Sequence, residues 1–314
     1  MIQKGFFKKK FLCFLAVFVV ILVSAAYVGI GCHAEKTDAF RFVFATDIHL
    51  QPEKQAIEGF NQAISHINSL RPKPHFVITG GDLIEDSYIK DIESAAKLFD
   101  LFLSALKKLD SPVYNIIGNN DYVQWKKESA GKLPHPDYGK GMFRRRLGNG
   151  ATFSSFDHGG WHFILLDSLN ANEDGRLEGY IDQNQMKWLE GELEKTGKIK
   201  PVCIALHIPL LSLLPQLYKN ILVEPPEFFL VKNATEVIEL LSAYNVKLVL
   251  QGHLHLVEEL RYKNITYITG GSVCGFKWRG PSFGHPEGFV IVDVKGDEFS
   301  WKYEPFGWTA KAKD

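Results

Sequence analysis

From Phe40 onward the chain alternates two periodicities, and this alternation constrains its fold more than any other feature. Short apolar runs, RFVFAT, HFVIT, VYNII, HFILLD, VCIAL and VKLVLQG, are rich in Val, Ile and Phe and bounded by turn residues, as strands buried on both faces are. Between them lie helical patterns. Ile57, Phe60, Ile64, Ile67 and Leu70 recur at three- and four-residue steps, as do Ile92, Ala95, Ala96, Phe99, Phe102 and Leu103. Strand, helix, strand at this spacing predicts crossover units and a largely parallel sheet. ITYIT, FVIVDV and EFSWKY, linked by short Gly-rich or Gly-Asp turns, predict an antiparallel group at the C-terminal end. With no internal repeat and no low-complexity linker, one mixed α/β domain over residues 36–314 is expected.

The composition agrees with a globular enzyme-sized domain. At 314 residues, 46% hydrophobic and 23% charged, the chain can bury a sizeable core and is neither disordered nor fibrous in type. A formal net charge of zero removes the electrostatic reason to expect a nucleic-acid partner, which calls for a basic excess gathered on one face. A small or charged soluble substrate is the better expectation.

Residues 1–35 are a separate object. MIQKGFFKKK is basic, and FLCFLAVFVVILVSAAYVGIG follows it without a charge, the layout of a secretory signal or a membrane anchor. The apolar run reaches the roughly 20 residues needed to span a bilayer. Lys4, Lys8, Lys9 and Lys10 on its N-terminal side place the rest of the chain outside the cytoplasm. Small residues before Cys32 in GIGCHAEK also resemble the lipidation site of bacterial lipoproteins, although Gly29 stands where a branched aliphatic is usual. Cleavage at a small residue such as Ala26, lipid on Cys32 and retention as an anchor all remain open; each predicts an exported protein of the cell envelope. Cys203 and Cys274 read as buried free thiols.

The polar residues fall where chemistry is expected. In α/β sheets ligands bind beyond the carboxyl ends of the strands. RFVFAT is followed there by Asp47-Ile48-His49, HFVIT by Gly80-Gly81-Asp82, and VYNII by Gly118-Asn119-Asn120-Asp121. VCIAL is followed by His207, and VKLVLQ by Gly252-His253-Leu254-His255. A lone Asp after a strand is a turn former, and a lone His is a hydrogen-bonded rim residue. Turn chemistry gives no reason for His to recur as D-x-H, H-x-P and G-H-x-H, however, so the set points to metal ligands. The spacing of Asp47 with His49, and of His253 with His255, suits extended backbone on which residues i and i+2 share a face. His66, His75, His135, His158 and His162 show no such arrangement.

The ordered series Asp47-x-His49, Gly81-Asp82, Gly118-Asn119-x-Asp121, His207-x-Pro209 and Gly252-His253-x-His255 resembles the calcineurin-like metallophosphoesterase superfamily. GYIDQNQMKWLEGEL resembles the helix before His-x-Pro in its cyclic-nucleotide phosphodiesterase-like branch. The resemblance implies two packed mixed β-sheets flanked by helices, a four-layer αββα sandwich. It implies that Asp47, His49 and His255 hold one divalent cation, that Asn119, His207 and His253 hold a second, and that Asp82 bridges them. Two cations roughly 3.5 to 4 Å apart can acidify a bridging water and neutralise charge in an in-line displacement. The nitrogen and oxygen donors, with no thiolate among them, admit Mn, Fe, Zn, Co or Ni.

Asn120 stands where much of the superfamily has a histidine oriented by the following acid, here Asp121. An amide can donate to a phosphate or leaving group but has no proton to give near neutral pH. Trp278 and Arg279 in GGSVCGFKWRGPSFGHPEG are candidates to stack on a ring and pair with a phosphate, and His285 is a candidate proton donor. The implied activity is metal-dependent phosphodiester hydrolysis of a small phosphate ester. The alternatives are a phosphomonoesterase acting on exported compounds, or an envelope protein that binds metal or phosphate without turnover.

Overall fold

The computed structural model describes residues 39–124, 135–172, 175–218 and 229–311. The N-terminal 1–35 segment, with the export, anchoring and lipidation readings attached to it, lies outside the described residues.

Among the described residues, thirteen strands and six α-helices follow one another in the order β1 (Phe40–Ala45), α1 (Ala56–Ser69), β2 (Phe76–Thr79), α2 (Ile92–Leu106), β3 (Val113–Asn115), α3 (Gly141–Arg146), β4 (Ser154–His158), β5 (Trp161–Leu165), β6 (Leu169–Ala171), β7 (Leu177–Gly179), α4 (Gln183–Thr196), β8 (Val202–Leu206), α5 (Leu214–Tyr218), α6 (Ala234–Ser242), β9 (Val246–Gln251), β10 (Val257–Tyr262), β11 (Ile265–Gly270), β12 (Gly288–Lys295) and β13 (Glu298–Pro305). These build one five-stranded sheet ordered β13-β12-β1-β2-β3, one six-stranded sheet ordered β10-β11-β9-β8-β5-β4, and a two-stranded ribbon β6-β7. Both large sheets are mixed: β1-β2-β3 and β5-β8-β9-β11 run parallel, while β1-β12-β13, β4-β5 and β10-β11 are antiparallel.

The near-continuous apolar runs are explained by burial on both faces. Phe42 and Phe44 of β1 meet Phe163, Leu248 and Leu250 of the other sheet in an inter-sheet core, and Phe42 lies edge-on to Phe163 at 5.4 Å. Val43 and Ala45, pointing the other way, pack with Phe60 and Ile64 of α1 and Phe99 and Phe102 of α2. Ile204 and Leu206 of β8 do the same with Leu189 and Leu193 of α4 and Val237 and Leu241 of α6. The result is the expected four layers.

One expectation fails. ITYITG does not join FVIVDV and EFSWKY in an antiparallel group: β11 lies parallel to β9 in the six-stranded sheet, whereas β12 and β13 complete the five-stranded one. Its antiparallel neighbour is β10, VEELRY, a largely polar strand whose Lys263-Asn264 turn has φ of 50° and 62°. Residues 271–287 then cross from one sheet to the other, and this crossing brings the loop to the strand ends.

Candidate metal centre

Each polar strand end is fixed by backbone contacts before any ligand is considered. Asp47 N–H donates to Gly81 O, His49 N–H to Asp82 O, and Gly252 N–H to His207 O, so the loops after β1, β2, β8 and β9 are tied edge to edge. Gly118 is required here for space, since a Cβ on it would lie 2.1 Å from Asp82 N. Buried Gln251 accepts from Leu210 N–H and Leu211 N–H and pins the His-x-Pro segment to the end of β9.

All seven expected ligand residues converge. His255 Nε2 lies 3.1 Å from His49 Nε2 and 3.2 Å from Asp47 Oδ1. His207 Nε2 lies 3.1 Å from Asn119 Oδ1 and 3.2 Å from Asp82 Oδ1. Asp82 connects the two halves, its Oδ2 being 3.5 Å from His49 Nε2. His253 joins Asp82 and His207 in one cluster and faces the His207 ring edge-on at 5.1 Å.

The histidines are oriented from behind. His49 Nδ1 meets Glu85 Oε2 at 2.7 Å, His255 Nδ1 donates to Gly275 O at 2.7 Å, and His207 Nδ1 donates to Gly80 O at 2.8 Å. With Nδ1 engaged outward, Nε2 is the atom turned to the centre, the pattern that orients metal-binding imidazoles. Asp47 is wholly buried; its Oδ2 accepts from Thr46 Oγ1 and His253 N–H, and its Oδ1 has no hydrogen-bond partner. A buried carboxylate oxygen without a donor, facing converging imidazole nitrogens, fits a cation.

The backbone departs from expectation. Asp47, His49, Asp82, His253 and His255 have φ of 56°, 46°, 50°, 72° and 53°, so D-x-H and H-x-H share a centre through left-handed turns and not through the side-chain alternation of a strand. Asp and His tolerate this region better than most residues, and such conformations, each costing about 1–3 kcal/mol, gather at functional sites.

The electrostatics favour positive charge at the centre. Burial opposes ionisation of Asp47 and Asp82, yet His255 beside the first and His207 beside the second hold both carboxyls below the ordinary range. Burial also opposes charge on His207, but Asp82 raises it to about 9. His253 is pushed down to about 4 by burial and then by His207, which leaves it a neutral donor.

Asn120 and Asp121 are both engaged by contacts within the protein. Asn120 Nδ2 donates to Asp82 Oδ2 at 2.5 Å, its backbone N–H donates to Asp82 Oδ1 at 2.8 Å, and its Oδ1 accepts from Asp86 N–H. Asp121 is buried and orients nothing at position 120; its carboxylate accepts from the backbone N–H groups of Leu83, Ile84 and Gly118. Burial, and then the charge of Asp82, push its carboxyl up to about 8 against those donors.

Trp278 also needs correcting. At 2% exposure it packs in the helix-side core and donates from Nε1 to Ile48 O and His49 O, so it supports the first ligand loop and presents no ring to a substrate. Arg279 is exposed and His285 half-buried beside Tyr303, at 6.3 Å between rings. Sequence reasoning missed Glu85, which meets His49 and is itself held by Lys277 Nζ at 3.0 Å; its position three residues after Asp82 was the available signal. It also missed the approach of Cys274, one atom of which lies within 4.8 Å of one atom each of His49 and His255.

The calcineurin-like phosphoesterase family model matches residues 40–257. The chain belongs to that family. As a calcineurin-like phosphoesterase it is a hydrolase acting on phosphate esters, and its αββα sandwich is the fold of such enzymes. It is 28% identical over 237 residues to a 3',5'-cyclic-nucleotide phosphodiesterase of Nostoc sp., covering 73% of this chain and 76% of the relative. A probable glycerophosphodiester phosphodiesterase of Arcobacter nitrofigilis is 26% identical over 211 residues, 67% of each chain. In fold it resembles a dimetal phosphatase of Danio rerio, with a TM-score of 0.62 at 16% identity over 86% of this chain and 97% of that one.

Proposed function

We propose that the chain hydrolyses phosphodiesters at a centre holding two divalent cations bridged by Asp82. The observation that carries this reading is the placement of Asp82, one oxygen toward His207 and the other toward His49. Asp47, His49 and His255 would hold the first cation, and Asn119, His207 and His253 the second. Bound there, the pair would supply Lewis acidity, lowering the pKa of a water and offsetting the charge of the phosphoryl oxygens. The residues of the chain hold the donors in place: Glu85 and the Gly80 and Gly275 carbonyls fix the imidazoles, and Asn120 fixes Asp82.

Preference for diesters is supported by relatives that are phosphodiesterases by name, among them those of Nostoc sp. and Arcobacter nitrofigilis. Monoester hydrolysis is the second reading, favoured by similarity to a serine/threonine-protein phosphatase of Bos taurus, 25% identical over 232 residues, 70% of this chain and 66% of the relative. Hydrolysis rates on matched aryl mono- and diesters, before and after chelation, separate these readings; a monoester rate well above the diester rate overturns the first.

The sequence of residues 1–35 supports export, with attachment to the membrane through the apolar run or through lipid on Cys32. Cell fractionation tests this: an envelope location is expected, and soluble cytoplasmic protein retaining Met1 refutes it. Release by Cys32→Ser identifies lipid as the tether.

A further inference from the structure

The loop that crosses between the sheets brings a thiol to the edge of the centre. Val273 N–H donates to Thr46 O, Ser272 Oγ donates to Asp47 O at 3.0 Å, and Cys274 N–H lies 3.2 Å from the same carbonyl. These contacts lay residues 272–274 along the first ligand loop, and Trp278 N–H closes the turn on Cys274 O at 2.7 Å.

We propose that Cys274 Sγ is a further donor to the cation held by Asp47, His49 and His255, giving this half of the centre a sulfur ligand among nitrogen and oxygen ones. The inference rests on the two-cation reading and adds to it. Two observations carry it. Sγ lies with a ring nitrogen of His49 and one of His255 in a cluster whose atoms are all within 4.8 Å of one another, His49 and Cys274 being buried and His255 partly so. Independently, Asp47 Oδ1 is buried, has no hydrogen-bond partner and faces His255 Nε2 at 3.2 Å, so the same place asks for a cation. Besides the histidines, Sγ has Ser272 Oγ at 3.2 Å and Gly275 O at 3.5 Å as polar neighbours, the carbonyl accepting from the thiol while it is protonated. Cys203 offers the contrast: it is buried in the inter-sheet core with Ile204 O at 3.8 Å, outside any ligand cluster among the described residues.

On binding, the thiol proton leaves to solvent and the sulfur lone pair bonds the cation, because the thiolate is the ligand form. A soft sulfur donor shifts preference toward Zn, Co(II) and Cd and away from Mn and Mg.

The test uses the full chain, stripped by chelation and reloaded with cobalt(II). Wild type should develop a near-ultraviolet sulfur-to-cobalt absorption that Cys274→Ser lacks while binding the same number of ions, and the band should persist when Cys13 and Cys32 are replaced by Ser. Cadmium affinity should fall roughly 10- to 100-fold in Cys274→Ser, with manganese affinity changed less than about 3-fold. X-ray absorption of zinc-loaded wild type needs no variant and should show a sulfur neighbour at about 2.3 Å. Two bound cobalt ions with no sulfur band and no sulfur neighbour overturn the sulfur ligand and leave the two-cation reading standing. A chain that retains no cation overturns both.

Discussion

Asn120 Nδ2 donates to Asp82 Oδ2 at 2.5 Å, and with Asn120 Oδ1 accepting from Asp86 N–H the amide is locked in one orientation. Asn120 is therefore a clamp on the Asp82 carboxylate. Asn120→Ala should weaken cation binding by roughly 10- to 100-fold, as loss of an outer partner of a ligand does, measured by competition with a chromophoric chelator. In contrast, Asn120→Ala should leave the dependence of rate on leaving-group pKa unchanged across a series of aryl diesters. A steeper dependence with unaltered cation affinity would return Asn120 to the role of leaving-group donor.

Glu85 gives a pH prediction. Burial pushes its carboxyl up, but His49 first and Lys277 next hold it at about 2, below the ordinary 4.5. A carboxyl depressed by folding stabilises the native state above its unfolded pKa and loses that contribution as pH falls through its folded one. In chelated protein, wild type should therefore exceed Glu85→Gln in stability near pH 5, by a margin that shrinks as pH falls between about 4.5 and 2. Urea unfolding at each pH measures it, and a margin that grows on acidification contradicts the pairing.

Trp278 and Arg279 now separate cleanly. Trp278→Ala should cost about 3–5 kcal/mol, the range for emptying a large aromatic from a packed core, and should loosen the His49 loop through its lost Nε1 contacts. Arg279→Ala, at an exposed position, should change stability by less than about 0.5 kcal/mol. Equal small effects in thermal unfolding would show that Trp278 is not the support described.

Gly118→Ala tests the close approach of two ligand loops. With the added Cβ placed 2.1 Å from Asp82 N, backbone must move. About 3 kcal/mol of stability and most of the cation affinity should go together; a tolerated substitution would mean that the loops are not packed as described.

How much of this was legible in the sequence depended on where the signal resides. The buried strands and α1, α2 and α4 were readable because two-sided burial leaves apolar runs and one-sided burial leaves a helical stripe. The partner of β11 was not, because a short turn fixes local direction but says nothing about which sheet a strand enters. The convergence of Asp47, His49, Asp82, Asn119, His207, His253 and His255 was readable because Asp, Asn and His carry their chemistry in the side chain. The Gly80 and Gly275 carbonyls that orient His207 and His255 carry none. Left-handed backbone at Asp47, His49, Asp82, His253 and His255 could not be inferred from D-x-H spacing, which extended strands satisfy equally well.

In the proposed function, Asp82 joins two cations that the reaction needs. The direct measurement is metal content per chain, with hydrolysis of an activated aryl phosphodiester, for wild type and Asp82→Asn before and after chelation. Two divalent ions per wild-type chain are expected, with activity lost on chelation and regained on reloading, and Asp82→Asn should retain fewer ions and fall by more than about 10³-fold in rate. Full diester hydrolysis by chelated, metal-free wild type would contradict the account.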